Sequence, residues 1–457
     1  MHRLLLFLFI SFTTTRTLAQ QEDSLFIKRI SDEILTNGKA YENLRTLTKR
    51  IGARLAGSPN MVKAEQWGLK RMEESGADKA WMQECMVPHW VRGGKDQASG
   101  KLSPNDKKPR SLDIVALGNS IGLMKMLQKP VIEVKDFDDL ERKKDSINGK
   151  IVFYNYKFNP TYISPFLSYR DAGQYRGQGP SRAAKYGAAA VIIRSLSHST
   201  DNNPHTGSTR YDSNYAKIPA AAIGLQDADW LSAAIKRSGN VWVSMATYGK
   251  FLPDTIGHNI IGELVGTEFP DEFITVGGHL DSWDNCEGAH DDGAGCVQTI
   301  EILRAFKALG YKPKRTIRFV LFANEENGLR GGNKYADEAK AKGEKHIFAL
   351  ESDAGGFTPR GFGLTGTDEQ YQKFLKWKDL IAPYGCTEFK QGGGGADIGP
   401  LNRTFKTAVA GLNPDPQRYF DIHHARNDVF EAVNKRELEL GAVNMAALIY
   451  LVDKYGL

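Results

Sequence analysis

The chain has 457 residues, of which 41% are hydrophobic and 10% aromatic, enough to form the cores of two or three domains. Its formal net charge of +6 is small for this length. Because the basic residues are spread along the chain rather than gathered into a stripe with interleaved aromatics, nucleic acid is excluded as an expected partner.

The N-terminus has the pattern of a secretory signal peptide. Residues 2–3 form a short basic start, residues 4–12 are apolar, and residues 17–19 match the usual cleavage positions. The apolar run is too short for a bilayer, which needs ~20 residues, and no later segment is long and apolar enough. We therefore expect a secreted or periplasmic protein without a membrane partner, cleaved near Ala19.

Residues 21–84 carry apolar side chains at three- and four-residue spacing, which predicts helices. A break is expected at residues 57–59, Gly-Ser-Pro, and an end at Gly76. Residues 93–112 are polar and rich in Gly, Lys and Pro, which predicts a loop with at most a short edge strand.

The pattern changes between residues 113 and 250, which predict a small β-rich module with one or two helices. The sequence favours a strand within residues 149–156 and a helix over residues 180–195 that runs into a strand. Another helix is expected from near Asp227 to Gly239. The His and Asp residues of this module are scattered, so no catalytic cluster is expected in it.

From residue 251 onward, predicted strands and helices alternate. Short apolar strands are expected at residues 273–276, 316–322 and 347–350, and a long helix closes the chain. Alternation of this kind is typical of an α/β domain with three layers.

Acidic and histidine side chains follow these strands directly. In an open α/β sheet, ligands bind outside the carboxyl ends of the strands. An isolated His-x-Asp, Asp-Asp or Glu-Glu pair is usually a surface or capping feature, but pairs at consecutive strand ends together predict a metal site. The residues concerned are His279, Asp281, Asp291, Asp292, Glu325, Glu326, Asp353 and His424.

Three motifs give the chain a family resemblance: GGHLDSWDNCEGAHDDGAG, FANEENGLRGG and ESDAGG, supported by RIGARLAGSP and GGGGADIGPL. It resembles the zinc-dependent exopeptidases with two co-catalytic metals, and in particular the plasma glutamate carboxypeptidase, or carboxypeptidase Q, branch. The resemblance implies a three-layer α/β domain with a mixed central sheet flanked by helices. Residues 20–112 and 251–457 would form this catalytic domain, and residues 113–250 an inserted protease-associated domain.

The resemblance also implies two zinc ions and a ligand for each position around them. His279 and Asp353 would bind one ion, Glu326 and His424 would bind the other, and Asp291 would bridge the two. A carboxylate suits the bridging position because it has two oxygens.

Other residues of the motifs receive supporting roles from the resemblance. Glu325 would be the general base and acid for a metal-bridged water, and Asp281 would orient the imidazole of the first histidine ligand. The peptide bond between Asp291 and Asp292 would be cis, with Asp292 capping the following helix. Since the ligand set is complete without them, Cys286 and His290 are expected to be structural.

Two assignments leave alternatives open. The family pattern places the last ligand four residues before an Asp near the C-terminal helix, and counting back from Asp428 therefore favours His424 over His423. The glycine-rich segment 391–401 is either a substrate-binding loop, with Gly394, Gly395 and Asp397 near the substrate, or a flexible surface loop.

The sequence also leaves open whether the enzyme recognises the N-terminus or the C-terminus of its peptide substrate, because the family contains both aminopeptidases and carboxypeptidases. A carboxylate-binding site would need a cation, and the sequence does not place Arg330, Arg360 or Arg403. A homodimer is possible. A non-catalytic receptor-like protein and a one-zinc glutaminyl cyclase are less favoured alternatives, since every ligand position is filled and an insert is expected.

Overall fold

The computed structural model describes the backbone of residues 2–123 and 125–457 and the side chains from residue 20 onward, apart from residue 124. The predicted signal peptide occupies residues 1–19, whose side chains lie outside the described part, so it stays a prediction. Within the described part, no helix combines the length and apolar character needed to cross a membrane.

The helices of the described residues are numbered in chain order. They are α1 (His2–Asn37), α2 (Ala40–Arg45), α3 (Pro59–Glu74), α4 (Phe137–Arg142), α5 (Pro165–Ala184), α6 (Leu225–Ser238), α7 (Ala294–Ala308), α8 (Arg330–Lys342), α9 (Asp368–Leu375), α10 (Lys378–Ile381), α11 (Gly399–Phe405), α12 (Tyr419–Ile422) and α13 (Lys435–Tyr455).

The strands form two sheets. They are β1 (Lys79–Val91), β2 (Gln97–Lys101), β3 (Arg110–Leu112), β4 (Ile114–Ala116), β5 (Leu127–Val134), β6 (Ile151–Tyr154), β7 (Ala190–Arg194), β8 (Ala220–Ile223), β9 (Trp242–Ala246), β10 (Lys250–Leu264), β11 (Phe269–His279), β12 (Arg315–Phe322), β13 (Lys345–Glu351), β14 (Pro359–Thr365), β15 (Glu388–Gln391) and β16 (Ala408–Pro414).

The larger sheet has the strand order β1-β10-β12-β11-β13-β16-β14-β15. Its centre, β12-β11-β13-β16, is parallel. The pairs β1–β10, β10–β12 and β14–β16 are antiparallel, and the edge strand β15 is parallel to β14. This confirms the predicted mixed central sheet. The parallel centre matters for function because it brings the carboxyl ends of β11, β12 and β13 to one edge.

Helices cover both faces of this sheet, as the alternating side chains of β12 show. Ile317, Phe319 and Leu321 are buried with residues of α1, α3, α7 and α13. Val320 and Phe322 point the other way and are buried with residues of α8 and α11. Successive strand residues face opposite sides, so a strand buried on both faces reads as a continuous apolar run. The three-layer prediction is therefore confirmed.

The smaller sheet has the order β3-β2-β9-β5-β6-β7-β8-β4 and its own apolar clusters on its two faces. Two of its strands, β2 and β3, come before residue 113, where the sequence places the start of the insert, inside the segment predicted as mostly loop. The boundaries of a separate inserted domain, and its protease-associated type, stay predictions.

The helical prediction for residues 21–84 is wrong at its end, where β1 begins at Lys79. This strand pairs antiparallel with β10 from Lys79↔Glu263 to Val91↔Lys250. The register shifts between Val87 and His89, around a proline that cannot donate to the ladder. Because β1 is the outermost strand of the sheet, it tolerates this proline. Pairing with a distant strand has overridden the local helical spacing.

The predicted helix over residues 180–195 is also displaced. Helix α5 begins at Pro165, directly after Ser164, and ends at Ala184, before the strand β7. Proline at the first helical position loses no hydrogen bond and has a φ suited to the helix, which explains this start. The displacement matters because the first turns of α5 approach the metal centre.

Candidate metal centre

Three neighbouring parallel strands deliver the predicted residues to one edge of the larger sheet. His279 is the last residue of β11, Glu325 and Glu326 follow β12, and Asp353 follows β13. His424 lies in the loop after α12. The expectation that the ligand side chains converge at strand ends agrees with their positions.

Asp291 lies between two histidines. Its Oδ1 is 3.1 Å from His279 Nε2, and its Oδ2 is 3.2 Å from His424 Nε2. Each oxygen of one carboxylate thus faces a different imidazole, which is the arrangement that a bridging ligand requires.

Each histidine also meets a second carboxylate. His279 Nε2 is 3.3 Å from Asp353 Oδ1, and His424 Nε2 is 3.1 Å from Glu326 Oε2. The five predicted ligands therefore form two groups that share Asp291. Among the side chains that the structure describes, three sets have donor atoms within 4.8 Å of one another: His279–Asp291–Glu326, His279–Asp292–Asp353 and Asp291–His423–His424.

The donor set fits a divalent cation. Nitrogen from imidazole and oxygen from carboxylate are the ligands that zinc takes in catalytic sites. Asp291 Oδ2 and Glu326 Oε1 are buried and accept no well-directed hydrogen bond from the described residues. A buried carboxylate oxygen without a donor is costly, and a cation between the two groups would satisfy both oxygens.

The charges of the cluster are strongly coupled. Burial alone would raise the pKa of Asp291, but the hydrogen bond from His279 and the nearby imidazoles of His424 and His423 hold it well below its usual range. Burial lowers the pKa of both histidines, yet the carboxylates around them raise it well above the usual range. Metal binding therefore has to displace protons from the imidazoles.

Asp281 supports two parts of the site. The His279 Nδ1 contacts the backbone carbonyl of Asp281 at 3.0 Å, whereas the Asp281 carboxylate is 3.8 Å away. That carboxylate instead accepts hydrogen bonds from the backbone N–H groups of Glu325 and Glu326, at 2.9 and 3.3 Å. Asp281 thus contacts the imidazole through its main chain and fixes the loop after β12 through its side chain.

Asp292 accepts two backbone N–H groups at the start of α7, although the N-cap residue of that helix is Gly293 rather than Asp292 as predicted. Its Oδ1 accepts the backbone N–H of Gly295 and its Oδ2 that of His279, at 2.9 and 3.0 Å. The Asp291–Asp292 peptide bond is cis, as the resemblance implies. Asp428 accepts the backbone N–H groups of His290 and Asp291, at 2.8 and 3.2 Å, so a residue near His424 holds the loop that carries the bridging carboxylate.

Cys286 and His290 are packed into the scaffold. The four cysteines of the chain are buried free thiols. His290 accepts the backbone N–H of Gly356 through Nδ1 at 3.1 Å and stacks on Phe357, with ring centroids 4.2 Å apart. Burial lowers the pKa of His290 to about 4, so it stays neutral near pH 7.

Arg54 is a supporting residue that the sequence does not reveal. It is fully buried and donates hydrogen bonds to the backbone carbonyls of Leu280, Glu287 and Gly288. These carbonyls belong to the loop between β11 and α7, which carries Asp291. One guanidinium therefore satisfies three acceptors of the metal-binding loop.

Replacing Arg54 with Ala should lower the free energy of unfolding by about 3 kcal/mol, because buried carbonyls would lose their donors. Urea unfolding followed by circular dichroism measures the change. Arg50→Ala, at an exposed position on the same segment, is the matched control and should change stability by less than about 0.5 kcal/mol. Equal stability of the two variants would contradict the bracing role of Arg54.

A cavity of about 620 Å³ opens above the centre. Its lining comes from two units: the larger unit is the larger sheet with its helices, and the smaller unit is the smaller sheet with its helices. The smaller unit therefore covers part of the site. Its lining residues are Asn119, Phe166, Tyr169, Arg176, Ser208, Arg210, Asp291, Glu325, Glu326, Asn327, Gly328, Leu329, Asp353, Ala396, Tyr419, Phe420, His423 and His424.

Glu325 lines this cavity and is half-buried. Burial raises the pKa of its carboxyl well above the usual range, and the negative charge of nearby Asp353 adds to the shift, although His279 opposes it. A carboxyl of this kind can hold or accept a proton near neutral pH, as an acid–base group must.

A second cavity, of about 590 Å³, adjoins the first at Phe166 and Asp353. Gly394 and Gly395 line it, and a Cβ on Gly395 would come within 2.0 Å of the Glu351 side chain, so only glycine fits there. Asp397 is fully buried. Direct contact between Asp397 and a substrate is therefore not supported, because its carboxylate does not reach the cavity surface.

The three arginines that the sequence could not place are now located. Arg360 lines the second cavity and pairs with Asp415 at 2.8 Å. Arg330 and Arg403 are not among the described residues that line either of the two cavities. The arginines of the main cavity are instead Arg176 and Arg210, both from the smaller unit.

Comparison with known proteins identifies the class. Residues 259–449, which include all five predicted ligands, match the model of peptidase family M28. The chain belongs to this family, and is a metalloexopeptidase.

Carboxypeptidase Q is among its relatives. The Mus musculus protein is 34% identical over 417 residues, which cover 91% of this chain and 85% of the mouse protein. A crystal structure of a peptidase M28 precursor from Shewanella amazonensis SB2B has a TM-score of 0.89 at 32% identity, covering 95% of this chain and 97% of that one. A zinc aminopeptidase from Bacillus subtilis shares the fold, with a TM-score of 0.64 at 20% identity over 90% and 94% of the two chains.

Proposed function

We propose that the chain is a secreted zinc-dependent exopeptidase that hydrolyses dipeptides or short peptides, with Glu325 as general base and acid. One observation carries the proposal: a single carboxylate, Asp291, lies between two histidines that each meet a further carboxylate. The relationship to carboxypeptidase Q supports a peptide substrate.

Two zinc ions are the proposed cofactors. His279 and Asp353 would hold one, Glu326 and His424 the other, and Asp291 would contact both. Zinc supplies a nucleophilic water near neutral pH and polarises the scissile carbonyl. The two buried carboxylate oxygens that lack well-directed donors support this assignment.

The chain's own residues position and move the protons. Asp281 holds the backbone of Glu325, which fixes the base at the cavity wall. There Glu325 can take a proton from the attacking water and pass it to the leaving amine. Asp428 and Arg54 keep the loop of Asp291 in place.

The covered cavity supports action on short substrates. Aromatic side chains of α5 and α12 pack against each other over the site, with the Phe166 and Tyr419 rings stacked at 5.6 Å and Tyr169 and Phe420 at 4.7 Å. Such a wall would limit the length of peptide that the cavity can hold. Because all five proposed metal-ligand positions are filled, a receptor-like protein that binds without catalysis is disfavoured.

Removal and return of metal tests the proposal. Dialysis against a chelator should abolish hydrolysis of Ala-Phe, and two equivalents of zinc per chain should restore it, with the equivalents measured by elemental analysis. Added magnesium is the control and should not restore activity, since magnesium prefers an all-oxygen octahedral site. Full activity of protein shown to contain no metal would refute the function.

A further inference from the structure

Arg176 on α5 holds its guanidinium beside the metal centre. Its Nη1 is 3.4 Å from His424 Nδ1 and 3.3 Å from the carbonyl oxygen of Thr206, and its Nη2 donates to the Tyr169 hydroxyl. The backbone of Gly207 lies against it, because a Cβ there would come within 2.5 Å of the guanidinium. These contacts hold the cation at one place in the cavity wall.

Arg176 has no carboxylate partner within ion-pair distance among the residues that the structure describes, although the cavity is rich in acids. Its Nε is buried and has no hydrogen-bond acceptor there either. A guanidinium binds carboxylates in a fork of two parallel hydrogen bonds. A guanidinium that has no carboxylate partner and an Nε without an acceptor favours an anionic ligand.

The net charge of the cavity also favours an anionic ligand. This argument rests on the proposed function, because it assumes two bound zinc ions. The three ligand carboxylates and Glu325 carry four negative charges when ionised, and two zinc ions carry four positive charges. The acids are then balanced by the ions. Arg176 and Arg210 remain as excess positive charge in the cavity, which favours an anionic substrate group.

The position of Arg176 fits a group close to the scissile bond. Only the width of the His424 imidazole separates the guanidinium from Nε2, the nitrogen that faces Asp291 and Glu326. One residue of extended peptide spans about 3.3–3.6 Å. A carboxylate one residue beyond the scissile carbonyl therefore falls within reach of Arg176.

We propose that Arg176 binds the C-terminal carboxylate of the substrate and so determines that the enzyme removes the last residue of a peptide. This choice distinguishes carboxypeptidase or dipeptidase action from aminopeptidase action. Because α5 belongs to the smaller sheet unit, that unit contributes specificity as well as cover.

A purely structural role for Arg176 makes a different prediction. If Arg176 only braced His424 and Thr206, its loss would weaken binding and turnover of all peptides alike. Recognition of a carboxylate affects only peptides that carry one. A dipeptide and its C-terminal amide have nearly the same shape, so they separate the two roles.

Calorimetry on the zinc-loaded Glu325→Gln chain measures binding without turnover. We expect Ala-Phe to bind about 10- to 100-fold more tightly than Ala-Phe-amide. Adding Arg176→Gln should bring this ratio close to one by weakening the acid alone. Arg176→Lys, which keeps the charge but not the fork, should give an intermediate ratio. Arg182→Gln, on an exposed part of the same helix, is the matched control and should keep the wild-type ratio.

Each outcome bears on one proposal. An equal affinity for acid and amide before Arg176 is changed, no binding of either peptide, or an equal loss for both after the change would overturn the assignment of Arg176. Hydrolysis of both peptides at equal rates by the wild-type chain would also overturn it while leaving the exopeptidase function intact. Selective binding of the acid by a chain that cleaves no peptide would support Arg176 and refute the proposed function.

Discussion

Replacing Glu325 with Gln should lower kcat for a dipeptide by about 10²- to 10⁴-fold, the range of general acid–base catalysis. Glutamine keeps the size and polarity of the side chain but cannot take up or release the proton. The buried environment that raises the pKa of Glu325 makes this position suited to proton transfer. Initial rates with Ala-Phe, at saturating zinc and pH 7.5, measure the loss.

Zinc content distinguishes this result from damage to the metal site. Glu325 is not among the proposed ligands, so the variant should bind as much zinc as the parent chain. Glu369→Gln, at an exposed position on α9, is the control and should leave kcat within about twofold. A Glu325→Gln chain with bound zinc and undiminished turnover would rule out this residue as the base.

Replacing His424 with Gln should remove one of the two bound zinc ions and lower kcat/KM at least about 100-fold. Loss of a partner that only orients a ligand already costs about 10–100-fold, and loss of the ligand itself should cost more. The reason lies in the distances, since His424 Nε2 is 3.2 Å from Asp291 and 3.1 Å from Glu326. Elemental analysis and steady-state kinetics measure both effects.

His423 is the natural comparison because it is equally buried and stacks on His424, with ring centroids 3.6 Å apart. Its Nε2 is 3.6 Å from Asp291 Oδ2, farther than that of His424. We expect His423→Gln to retain both zinc ions and to lose activity less than about tenfold. The opposite pattern, with zinc lost only from the His423 variant, would reassign the ligand.

The clustering of His279, Glu325 and Asp353 was predictable because each lies at or just after the end of a strand that the sequence marks clearly. The apolar runs before His279, Glu325 and Asp353 are buried on both faces of the larger sheet, and such runs read as strands. Parallel neighbours then bring their ends together. His424 lies farther from its strand, after β16 and α12, and the choice of His424 over His423 rested on the family's spacing from Asp428.

The cover of the cavity was not predictable in the same way. Phe166, Tyr169 and Arg176 lie on one ordinary helix, far upstream of the ligands, and no local pattern distinguishes them from packing residues. Their role in the cavity depends on how the smaller unit packs against the larger one. Arg54 was missed for a related reason. Its acceptors are backbone carbonyls, which every residue has, so the sequence does not indicate which of them an arginine will contact.

Strand β1 shows that the spacing of apolar residues within a segment does not always predict its secondary structure. Residues 79–84 fall in the range predicted to be helical, beyond the helix end expected at Gly76, but they are paired with β10, which comes much later in the chain. Pairing over such a separation is decided by the tertiary fold rather than by propensity. The short strands β2 and β3 of the smaller sheet lie in a segment predicted mostly as loop, and their pairing is likewise decided by the tertiary fold.

The order of the proposed ligands in the chain has a consequence for biosynthesis. At about 5–20 residues per second, roughly 7–30 s pass between the addition of His279 and that of His424. Asp428, which holds the loop of the bridging carboxylate, comes later still, and Tyr450 on α13 then bonds to Asp23 near the start of the described side chains. A growing chain therefore carries only a partial set of the proposed ligands until His424 has been added. The metal centre can therefore be completed only after the whole stretch from His279 to Asp428 has been synthesised.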